Sequence, residues 1–337
     1  MQGYRVAVVG ATGAVGTEML AVLARRRFPV RELVALASSR SEGRTVPFGD
    51  QSVVVRRATP EAFAGVDLAL FSAGASRSRA LAPAARAAGA IVVDNSSAFR
   101  MDPDVPLVVP EINGELLRDR PGLVANPNCA AIILTMAVAP LRALGTIRRI
   151  VVSTYQSASG AGARAMAELI EQTRGYLAGD EPAPAVFRWP IAFNLFSHNA
   201  PIEANGFNGE ENKVMAETRK ILDAPDLPVA ATCVRVPVLR AHVESVLVGF
   251  DRPIDEQTAR EVLARAPGLR VVDDRAANHF PMPREASGID EVLVGRIRRD
   301  LDDSTVLHLL VAGDQLLKGA ALNAVQIAER LVGDAAD

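Results

Sequence analysis

Residues 4–16 read YRVAVVGATGAVG, in which a short apolar run is followed at once by Gly10, Gly13 and Gly16. Glycines at such a point let the backbone turn tightly and approach a pyrophosphate, which the free N–H groups of the next helix then hold. The spacing is GxxGxxG rather than the commoner GxGxxG, but its place directly after a first strand favours a dinucleotide site. The alternative is a tight glycine turn that binds no ligand.

Strand-like and helix-like segments alternate through the first third of the chain. The predicted strands are 4–9, 33–37, 67–72 and 91–94. The predicted helices between them are 15–27 and 77–88. Alternation of this kind indicates βαβ units, and therefore a doubly wound parallel sheet of the Rossmann type.

The pattern changes near residue 128, after which the strands are longer and more strictly alternating. The predicted strands are 231–239, 244–251, 291–298 and 304–312. The predicted helices are 129–144, 212–222, 255–264 and 314–332. A chain of 337 residues suits two domains. We expect an α/β fold with a Rossmann-type domain of residues 1–128 plus 313–337, and an α+β catalytic domain of residues 129–312 on a mixed or antiparallel sheet.

The charge and cysteine content narrow the class of protein. With 37 basic and 39 acidic residues the net charge is −2, which predicts no nucleic-acid or membrane-surface partner. No apolar run reaches the roughly 18 residues of a membrane span. Two cysteines in so long a chain, and an N-terminus without signal-peptide features, predict a cytoplasmic protein.

The end of the second predicted strand bears on which dinucleotide is bound. NAD-specific sites usually place an acidic residue there to bind the ribose 2′-hydroxyl. This chain has Ser38, Arg40 and Ser41 instead. Hydroxyls and a guanidinium suit a 2′-phosphate, which a carboxylate would repel. NADP is therefore the predicted cofactor; the alternative is that Arg40 is an ordinary solvated charge.

Cys129 stands directly before a predicted helix, so its thiol lies at or near a helix N-terminus. The partial positive charge there favours the thiolate, the form that attacks carbonyl groups. Cys233 lies in an apolar strand and is interpreted as structural. The four histidines have no zinc-site spacing, so no metal is predicted, and spacing alone does not select one histidine as a catalyst.

Seven motifs occur in the order found in the aspartate-β-semialdehyde dehydrogenase family, which the chain resembles from about residue 4 to residue 330. They are GATGAVG (10–16), NSSAFR (95–100), PNC (127–129), YQSASGAG (155–162), EENK (210–213), RVPVLRAH (235–242) and GDQLLKG (313–319). The resemblance implies NADPH-dependent reductive dephosphorylation of L-aspartyl 4-phosphate to L-aspartate 4-semialdehyde. That reaction feeds lysine, threonine, methionine and isoleucine synthesis.

The resemblance also implies roles for individual residues. Cys129 would be the nucleophile that forms a thioester, Gln156 would orient the substrate, and His242 would be the acid/base. The implied substrate-binding residues are Arg235 and Glu210 for the α-carboxylate and α-ammonium, Arg100 and Lys213 for the phosphate, and Asn128. The implied cofactor-binding residues are Gly10, Thr12, Gly13, Ala14, Val15, Gly16, Ser38, Arg40, Ser41, Ser159, Gly160 and Asn323. The resemblance further implies a homodimer paired through the catalytic-domain sheets; the alternative is a tetramer, as in some relatives.

Two other functions share features with this interpretation. N-acetyl-γ-glutamyl-phosphate reductase shares the architecture and mechanism, but its cysteine lies in a Gly-Cys-Tyr-Pro-Thr context that this chain lacks. Its acetylated substrate also has no ammonium group to need Glu210. A non-catalytic NADP-binding relative would have lost the nucleophile or the histidine, whereas Cys129 and His242 are both present.

Overall fold

The computed structural model describes residues 3–180 and 183–333, and these form two compact units. The first unit is Met1–Asn128 with Ala320–Asp337, and the second is Cys129–Gly319. The final four residues of the predicted first domain, 334–337, lie outside the described residues. The segment 313–319, which the sequence places in the first domain, belongs to the second unit. Its side chains are tied to that unit by hydrogen bonds: Asp314 accepts from Arg240, and Gln315 accepts from the backbone N–H of Ala241.

The first unit contains a six-stranded parallel sheet in the order β5-β2-β1-β6-β7-β8 and a separate hairpin, β3-β4. Its strands are β1 (Tyr4–Val9), β2 (Val30–Ala37), β3 (Thr45–Phe48), β4 (Gln51–Val54), β5 (Arg56–Arg57), β6 (Leu68–Phe71), β7 (Ile91–Asp94) and β8 (Leu123–Ala125). The central strands are buried along most of their length, as in parallel sheets covered on both faces. This confirms the Rossmann-type sheet predicted for this part of the chain.

Helices α1 (Ala14–Arg25), α2 (Ala75–Ala87) and α3 (Pro110–Asn113) connect these strands. The turn between β1 and α1 requires glycine at Gly10, whose φ is +92°. A Cβ there would stand 2.4 Å from the carbonyl oxygen of Ser72. The glycine therefore allows the backbone that follows β1 to pass close to the end of β6.

The second unit contains a seven-stranded mixed sheet in the order β10-β11-β9-β12-β15-β14-β13. Its strands are β9 (Ile147–Gln156), β10 (Phe196–Ser197), β11 (Val229–Arg235), β12 (His242–Phe250), β13 (Leu269–Val271), β14 (Val292–Arg299) and β15 (Val306–Gly313). Its helices are α4 (Cys129–Val138), α5 (Ala163–Ala178), α6 (Gly209–Ile221), α7 (Glu256–Arg265) and α8 (Pro283–Ala286). The mixed sheet confirms the predicted fold class.

Three predicted elements differ from the structure by more than three residues at one end. The helix predicted at 129–144 ends at Val138 and is followed by a 3-10 turn over Ala139–Ala143. The strand predicted at 231–239 ends at Arg235, because Pro237 has no N–H to donate to a ladder. The helix predicted at 314–332 is α9 (Leu322–Gly333), preceded by a π-helical turn over Leu317–Ala321. Asp314 accepts bonds from the backbone N–H groups of Leu316 and Leu317 and so holds a turn where a helix was expected. None of the helices within 3–180 and 183–333 is long and apolar enough to cross a membrane.

Candidate active site

Three polar side chains lie side by side where the central strands of the second sheet end. Gln156 closes β9 and Arg235, its neighbour in register, closes β11. His242 opens β12, which runs antiparallel to β9. All three are almost completely buried. We call Gln156, Arg235 and His242 the end row.

Cys129 is the first residue of α4 and is half-buried, whereas every other residue of that helix is fully buried. Gly319 lies against it, since a Cβ at that glycine would stand 2.9 Å from the Cys129 Cβ. The helix is anchored by its apolar length, and the thiol is left at its N-terminal end. That position gives Cys129 both the helix dipole and partial access to solvent.

The His242 ring is neutral and its tautomer follows from its contacts. Nδ1 accepts the backbone N–H of Ser157 at 3.1 Å, with the Ser157 hydroxyl 3.0 Å away. In a neutral ring the proton is then assigned to Nε2, which makes no hydrogen bond. Burial, and secondarily the charge of Arg235, lower the pKa of His242 to about 3. Gly160 lies against this edge of the ring, because a Cβ there would be 3.1 Å from Cε1.

Arg235 is a buried cation that has no carboxylate partner among residues 3–180 and 183–333. Its Nη1 donates to the carbonyl oxygen of Ser157 at 2.6 Å, and its Nε makes no hydrogen bond. Its guanidinium carbon stands 5.5 Å from the Phe187 ring centroid. Burial lowers the pKa of Arg235, while Glu210 and Cys129 act in the opposite direction. An isolated buried charge is costly, so this arrangement calls for an anionic ligand.

Glu210 and Lys213 enter the same site from the first turn of α6. Asn208 caps this helix in a capping box with Glu211, which fixes where the turn begins. Glu210 accepts a hydrogen bond from Gln156 Nε2 at 3.2 Å, and its other oxygen is 3.5 Å from Lys213 Nζ. Gln156 Oε1 is buried without a partner. The cluster thus offers an anion, two cations and an amide.

The sequence did not single out His198 for this site. Its Nε2 lies 2.7 Å from Arg235 Nη2. A guanidinium can only donate, so the imidazole accepts and is neutral. Burial is the main reason that the pKa of His198 is lowered to about 4. Its loop has no periodicity or motif that would have indicated this contact.

A second row of polar side chains lies on the same face of the sheet, two residues further along each of the same strands. Thr154 of β9 is flanked in register by Cys233 of β11 and Glu244 of β12, and all three are fully buried. Neither carboxylate oxygen of Glu244 has a hydrogen-bond partner. Burial raises the pKa of Glu244 well above its ordinary value, and it raises the pKa of Cys233 to about 12. We call Thr154, Cys233 and Glu244 the inner row.

The first unit has its own cavity, of about 440 Å³, at the carboxyl ends of its parallel strands. Such edges are where dinucleotides bind in doubly wound folds. Its lining includes Gly10, Thr12, Gly13, Ser38, Arg40 and Ser41, with Arg44 and Arg77 as further cations. The lining residues include no carboxylate, although NAD-specific sites place one there.

Comparison with known proteins matches both units. Residues 5–120 match the family described as "Semialdehyde dehydrogenase, NAD binding domain", and residues 138–318 match "Semialdehyde dehydrogenase, dimerisation domain". An aspartate-semialdehyde dehydrogenase of Synechocystis sp. is 54% identical over 97% of each chain. The chain belongs to the aspartate-semialdehyde dehydrogenase family. It is therefore an oxidoreductase of amino-acid biosynthesis, as the sequence motifs indicated.

Solved structures of the aspartate-semialdehyde dehydrogenase family show the same fold. Aspartate semialdehyde dehydrogenase II from Vibrio cholerae, complexed with ASA, is 44% identical over 99% of each chain, with a TM-score of 0.94. An enzyme of this name from Candida albicans, solved with NADP, is 24% identical and has a TM-score of 0.76, covering 99% of this chain and 100% of its own. The second likeness is one of fold alone.

The structure brings together only part of the set of site residues implied by family resemblance. The second unit brings together Gln156, Glu210, Lys213, Arg235 and His242. Cys129 lies close enough to Arg235 to interact with it electrostatically. Among the implied cofactor residues, Ala14, Val15, Gly16 and Asn323 belong to the first unit but do not line its cavity. Ser159 and Gly160 belong to the second unit.

Three residues given binding roles by the family resemblance also have structural contacts. Asn323 is buried in α9 and its amide nitrogen donates to Val108 and Asn126. Arg100 is buried in the first unit and donates to the backbone oxygens of Asn126 and Asn95. Asn128, also buried, ends that unit. Their binding roles stay predictions.

Proposed function

We propose that the chain catalyses the NADPH-dependent reductive dephosphorylation of L-aspartyl 4-phosphate to L-aspartate 4-semialdehyde through a thioester on Cys129. The observation that carries this proposal is the buried guanidinium of Arg235, which has no carboxylate partner in the described part of the chain and lies in one cluster with Glu210. An α-amino acid supplies the complementary pair, with its carboxylate for Arg235 and its ammonium for Glu210. An acetylated substrate would offer Glu210 no ammonium group to bind.

The proposed chemistry uses the thiolate of Cys129 first. It attacks the acyl carbon, a C–S bond forms, the C–O bond to the phosphoryl group breaks, and phosphate leaves. When bound, NADPH supplies the hydride that reduces the thioester. The C–S bond of the resulting thiohemiacetal then breaks, which releases the aldehyde and returns the thiolate. Roles for Arg100 and Lys213 toward the phosphate follow from the family resemblance and stay predictions.

His242 is placed to act on the oxygen that becomes negative. Its Nε2–H lacks a partner, so it can donate to the thiohemiacetal oxygen, in the manner of an oxyanion-hole group. An anionic substrate beside the ring favours the protonated form and raises the pKa of His242, which provides the acid needed for proton transfer. Gln156, bonded to Glu210, keeps its oxygen free to orient the substrate.

The test is phosphate-dependent reduction of NADP⁺ by aspartate semialdehyde, followed at the nicotinamide absorbance. We expect activity in the wild type and none above background in Cys129→Ala, with Cys233→Ala as the matched thiol control. Full activity in Cys129→Ala would exclude the thioester. N-acetylglutamate semialdehyde, offered in the same assay, should not be oxidised, because its blocked nitrogen gives Glu210 no ammonium to bind.

We also propose NADP as the cofactor. The cavity lining supports this by presenting Arg40, Arg44 and Arg77 without a carboxylate. Arg40→Ala should raise the KM for NADP⁺ about 10-fold, the value of a charge-assisted contact, and leave the KM for NAD⁺ unchanged. Equal changes for both cofactors would exclude Arg40 as a 2′-phosphate ligand.

A homodimer paired through the sheet of the second unit is the proposed assembly. The face of that sheet opposite the end row carries partly exposed side chains of β9, β11 and β12, among them Tyr155, Thr232 and Leu247. A sheet face that carries such side chains is usually packed against another structural element or a second subunit. The family that matches residues 138–318 is described as a dimerisation domain. Light scattering should give a dimer of about twice 35.7 kDa. A monomer would contradict the proposal, as would a dimer that Leu247→Arg leaves intact. A cytoplasmic location and the four amino-acid pathways remain predictions.

A further inference from the structure

The second unit contains another cavity, of about 600 Å³, formed by residues outside the end row. Arg142, Arg148 and Arg252 line it, together with a single carboxylate, that of Asp226. The lining therefore has an excess of two positive charges, in a chain whose overall net charge is −2. Concentrated positive charge in a concave site selects for anionic ligands.

Two of these guanidiniums are held in place by backbone oxygens. Arg142 Nη1 donates to Leu222 O at 3.0 Å, and Arg252 Nε donates to Leu144 O at 2.7 Å. Asp251 lies close enough to Arg252 to interact with it electrostatically, but its Oδ1 accepts the backbone N–H of Thr146. A guanidinium positioned by carbonyl groups keeps donors for a ligand and loses less freedom on binding.

The cavity is formed at the far ends of the elements that carry the end row. β9 enters at Ile147 and ends at Gln156, and β12 runs from His242 towards Arg252. The turn Ala139–Ala143, which contains Arg142, continues α4 from Cys129. At about 3.3 Å per residue, the ten residues of β9 put roughly 30 Å between the cavity and Gln156. The cavity is thus separate from the substrate site, yet formed by the same strands.

We propose that this cavity is a second ligand site, which binds a small polyvalent anion of the phosphate or polycarboxylate class. Three arginines around one carboxylate match an anion with two or more charges, since each guanidinium offers paired donors to a planar or tetrahedral oxyanion. The Asp226 carboxylate limits affinity by repulsion. Pyrophosphate and citrate represent the two chemical classes.

The test is isothermal titration of the full chain with pyrophosphate and, separately, with citrate. We expect at least one of them to bind with a Kd below about 1 mM, as two or three charge-assisted contacts supply. Arg148→Ala should weaken that binding about 10-fold. Unlike Arg142 and Arg252, Arg148 is not held by a hydrogen bond to a backbone oxygen of the described residues. The double variant Arg142→Ala/Arg252→Ala should abolish it. The matched control is Arg265→Ala, an arginine of α7 whose side chain is 82% exposed.

Asp226→Asn separates this proposal from a loss of folding, because it should tighten binding about 3-fold by removing the repelling charge. Heat that persists unchanged in the double variant belongs to another site, such as the end row, and would overturn the proposal. It is equally overturned if neither probe binds the wild type with a Kd below about 1 mM. Binding is read without catalysis, so the result is independent of the proposed reaction.

Discussion

The buried face of the second sheet carries two neighbouring rows of polar side chains, borne by the same three strands. In the end row, Arg235 Nε and His242 Nε2 have no hydrogen-bond partner within the described residues, and they lie where the strands stop and the first turn of α6 brings in further charged groups. In the inner row, Glu244 and Cys233 are ionisable and equally buried, but burial raises the pKa of each and so favours the protonated form. Position along a strand, rather than residue type, separates a group that can react from one that cannot.

The largest effect expected from this comparison is at His242. His242→Asn should lower kcat about 10²–10⁴-fold, the usual contribution of a positioned acid/base, with little change in KM. The loss follows because the asparagine amide cannot take up and give back a proton as the imidazole does. Steady-state kinetics in the phosphate-dependent assay measures it. A fall in kcat of less than 3-fold would show that His242, like the residues of the inner row, takes no part in the reaction.

Arg235→Lys tests whether the end row needs a guanidinium or only a charge. Lysine keeps the positive charge but loses the fork that donates to Ser157 and faces His198, so kcat/KM should fall about 10–100-fold. The thermal midpoint should change little, because the ammonium can still reach the Ser157 carbonyl. Unchanged kinetics would show that Arg235 does not bind the substrate carboxylate.

Glu244→Gln should leave turnover within about 2-fold and change the pH dependence of stability. Below the ordinary pKa of 4.5, both the folded and the unfolded chain hold this proton. Above 4.5, the unfolded chain releases it and the folded chain does not, so Glu244 lowers the free energy of unfolding by up to about 1.36 kcal/mol per pH unit, until its raised pKa is reached. Denaturant titrations from pH 5 to 8 should show a smaller decline in the variant. Equal declines would mean that Glu244 is ionised and paired in the fold.

Cys233→Ala should have the smallest effect. The thiol is protonated at neutral pH and belongs to the inner row, so kcat and KM should stay within about 2-fold. The small void should cost about 1 kcal/mol of stability. Thiol titration of the native wild type should correspondingly label Cys129 before Cys233. Rapid labelling of both would contradict the burial of the inner row.

The sequence predicted the Rossmann half of the chain most closely. β1 and β7 agree residue for residue with the predicted strands, because continuous apolar runs between turn signals are typical of buried parallel strands. No strand was predicted at 147–156, although β9 is central to the second sheet. The pair Arg148 and Arg149 interrupts its alternation, and only the neighbouring strands show that its other half is buried.

The chemistry of the site was predicted by motif rather than by position. Cys129 at a helix start and the cationic turn at Arg40 followed from local sequence. His198 and Arg235, which are in contact, are 37 residues apart in the chain. Thr154 is 79 residues from Cys233 and 90 residues from Glu244, the two residues that flank it in register. All of these contacts depend on strand pairing. Register of that kind is set by tertiary packing and has no signature in a single sequence.

The buried guanidinium of Arg235 also has a consequence for reagents that modify the thiol. A cation held near Cys129 concentrates small anions beside the nucleophile before any covalent step takes place. Iodoacetate should therefore alkylate Cys129 faster than the uncharged iodoacetamide, reversing the order expected for an exposed cysteine. For inhibitor design, a carboxylate attached to a mild electrophile would gain selectivity from the site's own charge rather than from reactivity.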